Sequence, residues 1–120
     1  MADVITNFGK DKVAENIGGL SSYTFKRLAL GTGGSTAEAT QTALDAIITD
    51  SGLTISTATV STATSNVLQL VKTWTASGSK TIQECGVFDS SDNMFARSNF
   101  TGIAVDSDDS IQITYKITVS

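Results

Sequence analysis

The C-terminal segment alternates between apolar and polar residues, and this pattern constrains the fold more than any other feature of the sequence. The apolar positions are Ile111, Ile113, Tyr115, Ile117 and Val119. Successive side chains of a β-strand point to opposite faces of a sheet, so one face of this segment is buried and the other lies in water. The pattern predicts a strand over residues 110–119 that belongs to a layered β fold.

Several shorter segments rich in β-branched and aromatic residues precede this strand. We predict strands over residues 23–30, 53–62, 67–75, 81–88 and 94–100, separated by polar turns at residues 77–79, 90–93 and 106–109. Tyr23 and Phe25 occupy odd-numbered positions, whereas Leu28 and Leu30 occupy even-numbered ones. The alternation therefore slips by one residue, and a bulge is expected near residues 26–27. Short strands without intervening long helices favour an all-β, antiparallel sandwich, jelly-roll-like in type.

The first twenty residues show helical spacing instead. Apolar residues recur every three to five positions, at Ile5, Phe8, Val13 and Ile17, and Gly18-Gly19 follow at once. This predicts a short amphipathic helix, capped by Thr6 or Asn7 and ended by the glycines. A helix this short is marginal alone, so its apolar stripe must dock on the domain or on another molecule. We therefore divide the chain into an N-terminal helical arm, residues 1–21, and a β-sandwich domain, residues 22–120.

A glycine-rich segment, residues 31–36, separates the second predicted strand from a region of mixed character. It lacks the lysine of a phosphate-binding P-loop and the spacing of a dinucleotide loop, so we interpret it as a connection. Residues 37–48 are expected to form a short helix or an irregular crossing with Leu44, Ile47 and Ile48 inward.

The residue content leaves little material for a reactive centre. The chain has no histidine and a single cysteine, Cys85, which removes the commonest general base, the commonest metal ligand and any internal disulfide. Glu84 has no nameable carboxylate partner for glycoside hydrolysis, and we expect a structural role for it and an inert core thiol at Cys85. The aspartates at residues 89–92 and 106–109 are interpreted as turn formers and not as calcium ligands. We predict no catalytic, cofactor-binding or metal-binding residues and no enzymatic activity.

Charge and hydropathy limit the partners and the compartment. The net charge is −4 and the eight Lys and Arg residues are scattered, so nucleic-acid binding is not expected. No apolar run is long enough to cross a membrane, and the first ten residues lack the unbroken apolar stretch of a signal peptide. We expect a protein that is made in the cytoplasm and does not bind membranes.

Several short motifs of the chain, taken in their order, resemble those of a group of small virion proteins of tailed bacteriophages. They are Leu30-Gly31-Thr32-Gly33, Thr42-Ala43-Leu44, Glu84-Cys85-Gly86-Val87-Phe88, Met94-Phe95-Ala96-Arg97 and the C-terminal segment at residues 111–120. The resemblance covers nearly the whole chain. Cys85 stands where the group has a small residue and Phe95 where it has leucine, and both differences concern packing.

The resemblance implies a particle component made in the host cytoplasm and located in the virion. The first hypothesis is a capsid decoration, or cement, protein that binds the major capsid protein as a homotrimer and stabilises the shell. An N-terminal arm would then contact a neighbour through Val4, Ile5, Phe8 and Val13. The second is a tail-fibre or baseplate appendage that contacts other virion proteins and host-surface glycans. The third, which does not come from the resemblance, is a carboxylate-dependent glycoside hydrolase, and the lack of a long loop-rich insertion that could form a cleft argues against it.

Overall fold

The computed structural model of the protein describes residues 2–118, which are mostly β. The strands are β1 (Ala2–Ile5), β2 (Arg27–Gly31), β3 (Ser56–Thr57), β4 (Thr59–Thr64), β5 (Val67–Thr75), β6 (Lys80–Phe88), β7 (Met94–Val105) and β8 (Ser110–Thr118), and one helix, α1 (Asn7–Ile17), follows β1. Across these described residues, no helical segment combines the length and the apolar content that a membrane span requires.

The strands form two sheets that face each other. One sheet has five strands in the order β1-β7-β6-β2-β3, and the other has three in the order β4-β5-β8, with every pair antiparallel. Leu30 and Val87 of the larger sheet share one buried cluster with Leu70 and Trp74 of the smaller. The predicted all-β, antiparallel and sandwich-like architecture is therefore confirmed.

The C-terminal strand follows the alternation on which the prediction rested. Ile111, Tyr115 and Ile117 are buried in the cluster between the sheets, whereas the polar residues between them are exposed. Its partner β5, and β6 of the larger sheet, match their predicted ranges to within one residue. Val119, the last apolar position of the pattern, lies outside the described residues.

The outer face of the larger sheet is also covered. Residues 32–48 cross it without regular structure, and Leu44 packs there in a second cluster with Ala29, Phe88 and Met94. The irregular alternative predicted for this region is thus confirmed. Because both faces are covered, β2 is buried on both sides, as its continuous apolar run requires.

The N-terminal prediction is correct for the helix and wrong for Ile5. The helix begins after Thr6 and ends at Ile17, whereas Ile5 belongs to β1 and lies opposite Ala96 of β7. The β-branched pair Val4-Ile5 favours an extended backbone, and pairing with β7 supplies hydrogen bonds that a first helical turn would lack.

Two strand predictions begin too early. Residues 23–26 are irregular because Tyr23 and Phe25 pack in an aromatic row beside α1, so no bulged strand forms there. Residues 53–55 follow a turn at Gly52, whose φ of 71° is left-handed, and strand pairing starts only afterwards. The rest of the predicted strand 53–62 is not continuous, because it is divided between β3 of the larger sheet and β4 of the smaller.

The prediction that Ile47 points inward is also wrong, although Leu44 and Ile48 are buried as expected. The Ile47 side chain is 42% exposed. Its backbone forms a bridge with Gly31, and in an extended segment neighbouring side chains point to opposite sides. Burial of Ile48 therefore places Ile47 in solvent.

Candidate functional site

The helix α1 is fixed to the larger sheet at its N-terminal end. Thr6, one of the two predicted caps, accepts a hydrogen bond from the Gly9 backbone N–H at 3.0 Å and donates its hydroxyl to the Met94 carbonyl at 2.7 Å. A Cβ atom at Gly9 would lie 2.4 Å from the Phe95 carbonyl oxygen, so the helix packs directly on the β7 backbone. This end of the helix is held in one position.

A row of aromatic rings holds the first turns of α1. Phe8 meets Tyr23 edge to face at 5.9 Å between centroids, and Tyr23 stacks on Phe25 at 6.2 Å. Phe25 contacts Phe95 of the core cluster at 4.4 Å. The Lys12 ammonium lies 4.9 Å from the Tyr23 centroid, close enough for a cation–π contact. The row thus connects the helix to the core.

The other end of α1 closes in a hydrogen-bonded turn. Gly19 has a left-handed φ of 73° and donates its N–H to the Asn16 carbonyl, while the Leu20 N–H donates to the Glu15 carbonyl at 2.8 Å. This is a Schellman cap, which confirms the predicted glycine stop. The Asn16 side chain then donates to the Tyr23 carbonyl at 2.9 Å, so the segment after the helix is tied back to it.

Two large apolar side chains at the C-terminal end of α1 are almost fully exposed to solvent. Ile17 is 83% exposed and Leu20 is 81% exposed, and Val13, one turn earlier on the same face as Ile17, is 38% exposed. We call Val13, Ile17 and Leu20 the helix-end patch. Covering one Leu or Ile side chain contributes about 1.5–3 kcal/mol. Binding of another molecule over this patch would therefore be favoured by the burial of apolar surface.

The four residues predicted as arm contacts lie in three environments. Val4 and Ile5 are half-buried in β1, which pairs with β7 of the same chain, and Phe8 is half-buried in the aromatic row. Val13 belongs to the helix-end patch. Their contact with a neighbouring molecule stays a prediction. Leu20 was missed, although the residue after a glycine cap is commonly apolar and could have indicated it.

A second group of polar residues is buried on the outer face of the larger sheet. Glu84 and Arg97 are fully buried and form an ion pair with 3.0 Å between Oε1 and Nε. The Glu84 carboxylate also accepts the backbone N–H groups of Gly33, Asp45 and Ala46 at 2.8 to 2.9 Å. Both of its oxygens are therefore occupied. We predicted a structural role as an exposed or a paired side chain, and the structure shows the paired alternative.

Arg97 holds the same loop through its guanidinium group. It donates to the Ser35 carbonyl at 3.0 Å, to Gln41 Oε1 at 3.1 Å and to Asp45 Oδ2 at 3.3 Å. Hydrogen bonds from the Ser35 hydroxyl and backbone, with Arg97 nearby, hold the pKa of Asp45 below its ordinary value. We call the fully buried Glu84 and Arg97 the buried charge cluster, and the exposed Asp45 lies at its rim.

Two glycines allow the loop to approach this cluster. A Cβ atom at Gly31 would lie 2.5 Å from Glu84 Oε2, and one at Gly33 would lie 2.2 Å from Asp45 Cβ. Glycoside hydrolysis needs one carboxyl group that donates a proton and another that reaches the substrate. Glu84 is closed in by four donors and Asp45 stays ionised, so this pair of carboxylates positions a loop and offers no such acid.

A cleft of about 670 Å³ lies between β7 and β8, and its lining includes Asp3, Cys85, Ser98 and Tyr115. Burial raises the pKa of the Cys85 thiol to about 12, so the thiol is protonated at neutral pH, as expected for an inert core cysteine. Burial also raises the pKa of Tyr115. Among the described residues the Tyr115 hydroxyl has no hydrogen-bond partner.

Each of the two aspartate groups includes a side chain that accepts hydrogen bonds within its own turn. Asp89 accepts the backbone N–H groups of Ser91 and Asn93 at 2.8 and 2.9 Å, and Asp109 accepts that of Asp106 at 2.8 Å. Their interpretation as turn formers is confirmed. Within residues 2–118, no group of three His, Cys, Asp or Glu side chains is placed to hold a metal ion.

Comparison with known proteins gives no match, since no family model, no curated protein and no solved structure is significantly similar to the chain. The resemblance to phage virion proteins stays a prediction.

Proposed function

We propose that the chain is a non-enzymatic structural protein of a tailed-phage virion, a decoration protein that binds the outer surface of the major capsid shell and stabilises it. The helix-end patch carries the proposal. Ile17 and Leu20 are more than four-fifths exposed, yet they sit on a turn fixed by backbone and Asn16 hydrogen bonds. A preorganised apolar surface loses little conformational entropy on binding, which suits it to a permanent contact.

The positions of the resemblance motifs support the same proposal. Gly31 and Gly33 of the first motif and Arg97 of the fourth all contact Glu84 of the third. A change in Glu84 or Arg97 would leave the buried charge of the other unpaired, and a side chain at Gly31 or Gly33 would collide with Glu84. Short motifs far apart in sequence therefore form one physical unit, and their joint occurrence has a structural reason.

Two finer expectations belong to this proposal. One is a jelly-roll-like connection of the strands, which is supported by eight strands divided between two sheets. The other is assembly as a homotrimer, in which each copy would present one helix-end patch to the shell.

Imaging of phage particles that carry a tagged copy tests the location. On the order of hundreds of copies per particle indicates the head, whereas roughly six to eighteen indicates a tail-fibre or baseplate position. The second result would overturn the decoration role and keep the virion assignment. A tagged chain absent from purified particles would remove both.

Binding of the purified chain to shells that lack it tests the patch. Replacement of Ile17 and Leu20 by serine should weaken binding at least about tenfold, because each lost apolar contact is worth about 1.5–3 kcal/mol. Ile103→Ser, at a side chain that is 44% exposed on β7, is the matched control and should bind unchanged. Undiminished binding of the patch variant would show that the shell is contacted elsewhere.

A further inference from the structure

The two sheets end in four edge strands, and three of these are protected against pairing with another chain. β1 carries Asp3, β8 carries Lys116, and β3 has only two residues. Charged side chains and short length are two ways in which proteins blunt the edges of their sheets. The fourth edge strand, β4, has six residues and no charge.

The strand β4 is exposed on both of its faces. All six of its residues are exposed, and among residues 2–118 its outer edge pairs with no other strand. Four of the six are β-branched, Thr59, Val60, Thr62 and Thr64, which favours the extended backbone. Because the outer edge of β4 is unpaired among the described residues, its main-chain N–H and C=O groups are open to a partner strand.

The charge distribution indicates which partner fits. Residues 51–71 contain no Asp, Glu, Lys or Arg, although the whole chain has a net charge of −4. Two copies of an acidic chain repel each other, so they meet most favourably where their surfaces are uncharged. The strand also matches itself, because antiparallel pairing with a second copy places Thr, Ser and Val beside Thr, Ser and Val.

We propose that β4 pairs antiparallel with β4 of a second copy and joins two three-stranded sheets into one across a two-fold axis. Such a contact links two copies through residues that do not belong to the helix-end patch. The register shift between Thr62 and Thr64 confines regular pairing to residues 59–62. The interface is therefore small and the dimer weak. The inference does not depend on the virion role, and a trimer would need a different surface.

Sedimentation analysis of the purified full chain tests the pairing, with a concentration-dependent dimer as the expected result. Ser61 lies within the paired segment, so Ser61→Lys brings two like charges together and should weaken the dimer at least about tenfold. Ser61→Asp should do the same by itself. An equal mixture of the two variants should restore a dimer of one copy of each, because opposite charges then meet.

The control is Thr114→Lys, which adds the same charge to an exposed position of β8, the other edge of the same sheet. It should leave the dimer unchanged. Ser61 is exposed, so its variants should unfold at the same urea concentration as the unaltered chain. A chain that stays monomeric at every attainable concentration, or a dimer that survives Ser61→Lys, overturns the inference.

Discussion

Replacement of Arg97 by methionine should destabilise the protein through the buried charge cluster. Methionine fills much of the aliphatic volume but removes the guanidinium hydrogen bonds to Glu84, Ser35, Gln41 and Asp45. Glu84 is then a fully buried carboxylate without a counter-charge. Removing one partner of a buried pair costs about 3–5 kcal/mol, and we expect about 3 kcal/mol because three backbone N–H groups still bind Glu84.

Urea unfolding at neutral pH measures this loss directly. Domains of this size have free energies of unfolding of about 5–15 kcal/mol, so the change should move the midpoint far outside experimental error. Hydrogen exchange supplies a local readout. The backbone N–H groups of Gly33, Asp45 and Ala46, which donate to Glu84, should lose more protection than those of β5.

A double-mutant cycle with Glu84→Gln distinguishes the pair from general packing damage. If the two side chains act on each other, the double variant should be less destabilised than the sum of the single variants, by about 0.5–3 kcal/mol. A loss below about 1 kcal/mol in Arg97→Met, typical of a surface pair, would refute the reasoning. Strictly additive losses would refute it as well.

Three further outcomes follow from the buried and titrating groups. Tyr115→Phe removes a buried hydroxyl that has no partner among the described residues, so the free energy of unfolding in urea should rise by up to about 1 kcal/mol, and a clear decrease would mean that the hydroxyl is bonded. Cys85 should react with iodoacetamide only after unfolding, because its pKa is about 12 in the fold, and labelling of the native chain would contradict its burial. Because the pKa of Asp45 is lowered in the fold, its carboxylate stabilises the folded protein at pH values above the pKa of unfolded Asp, about 3.9. This stabilisation is lost as the pH falls through the lower pKa of the folded state. Asp45→Asn should therefore flatten the acid loss of stability in a pH series, and an unchanged slope would exclude this contribution.

The sequence predicts those parts of the fold that depend on residues close together along the chain. The strict alternation at residues 110–118 reports one buried face, and the structure places Ile111, Tyr115 and Ile117 on it. The helix cap was equally readable, because Gly19 adopts a left-handed backbone that other residues avoid. In both cases the determining residues are neighbours along the chain.

The candidate sites depend on contacts that no local pattern records. Arg97 and Glu84 are 13 positions apart, and Glu84 binds Gly33 across 51 positions. Glu84 could therefore not be assigned a partner before the strands were placed. Likewise, the spacing of Ile17 predicts that it belongs to a buried stripe. It is exposed because α1 docks on the domain only through its first turns, which the sequence pattern does not record.

The buried charges explain how an irregular loop can cover the outer face of a sheet. A loop has no ladder to satisfy its own backbone groups, so burial would leave N–H and C=O groups unpaired. Glu84 accepts three of those N–H groups and Arg97 donates to the Ser35 carbonyl, and Leu44 then packs against the sheet. Apolar replacement of a buried ion pair is often tolerated when the charges serve only each other. Here they also satisfy the loop backbone, so an apolar pair of the same volume should leave the loop unbound and Leu44 exposed.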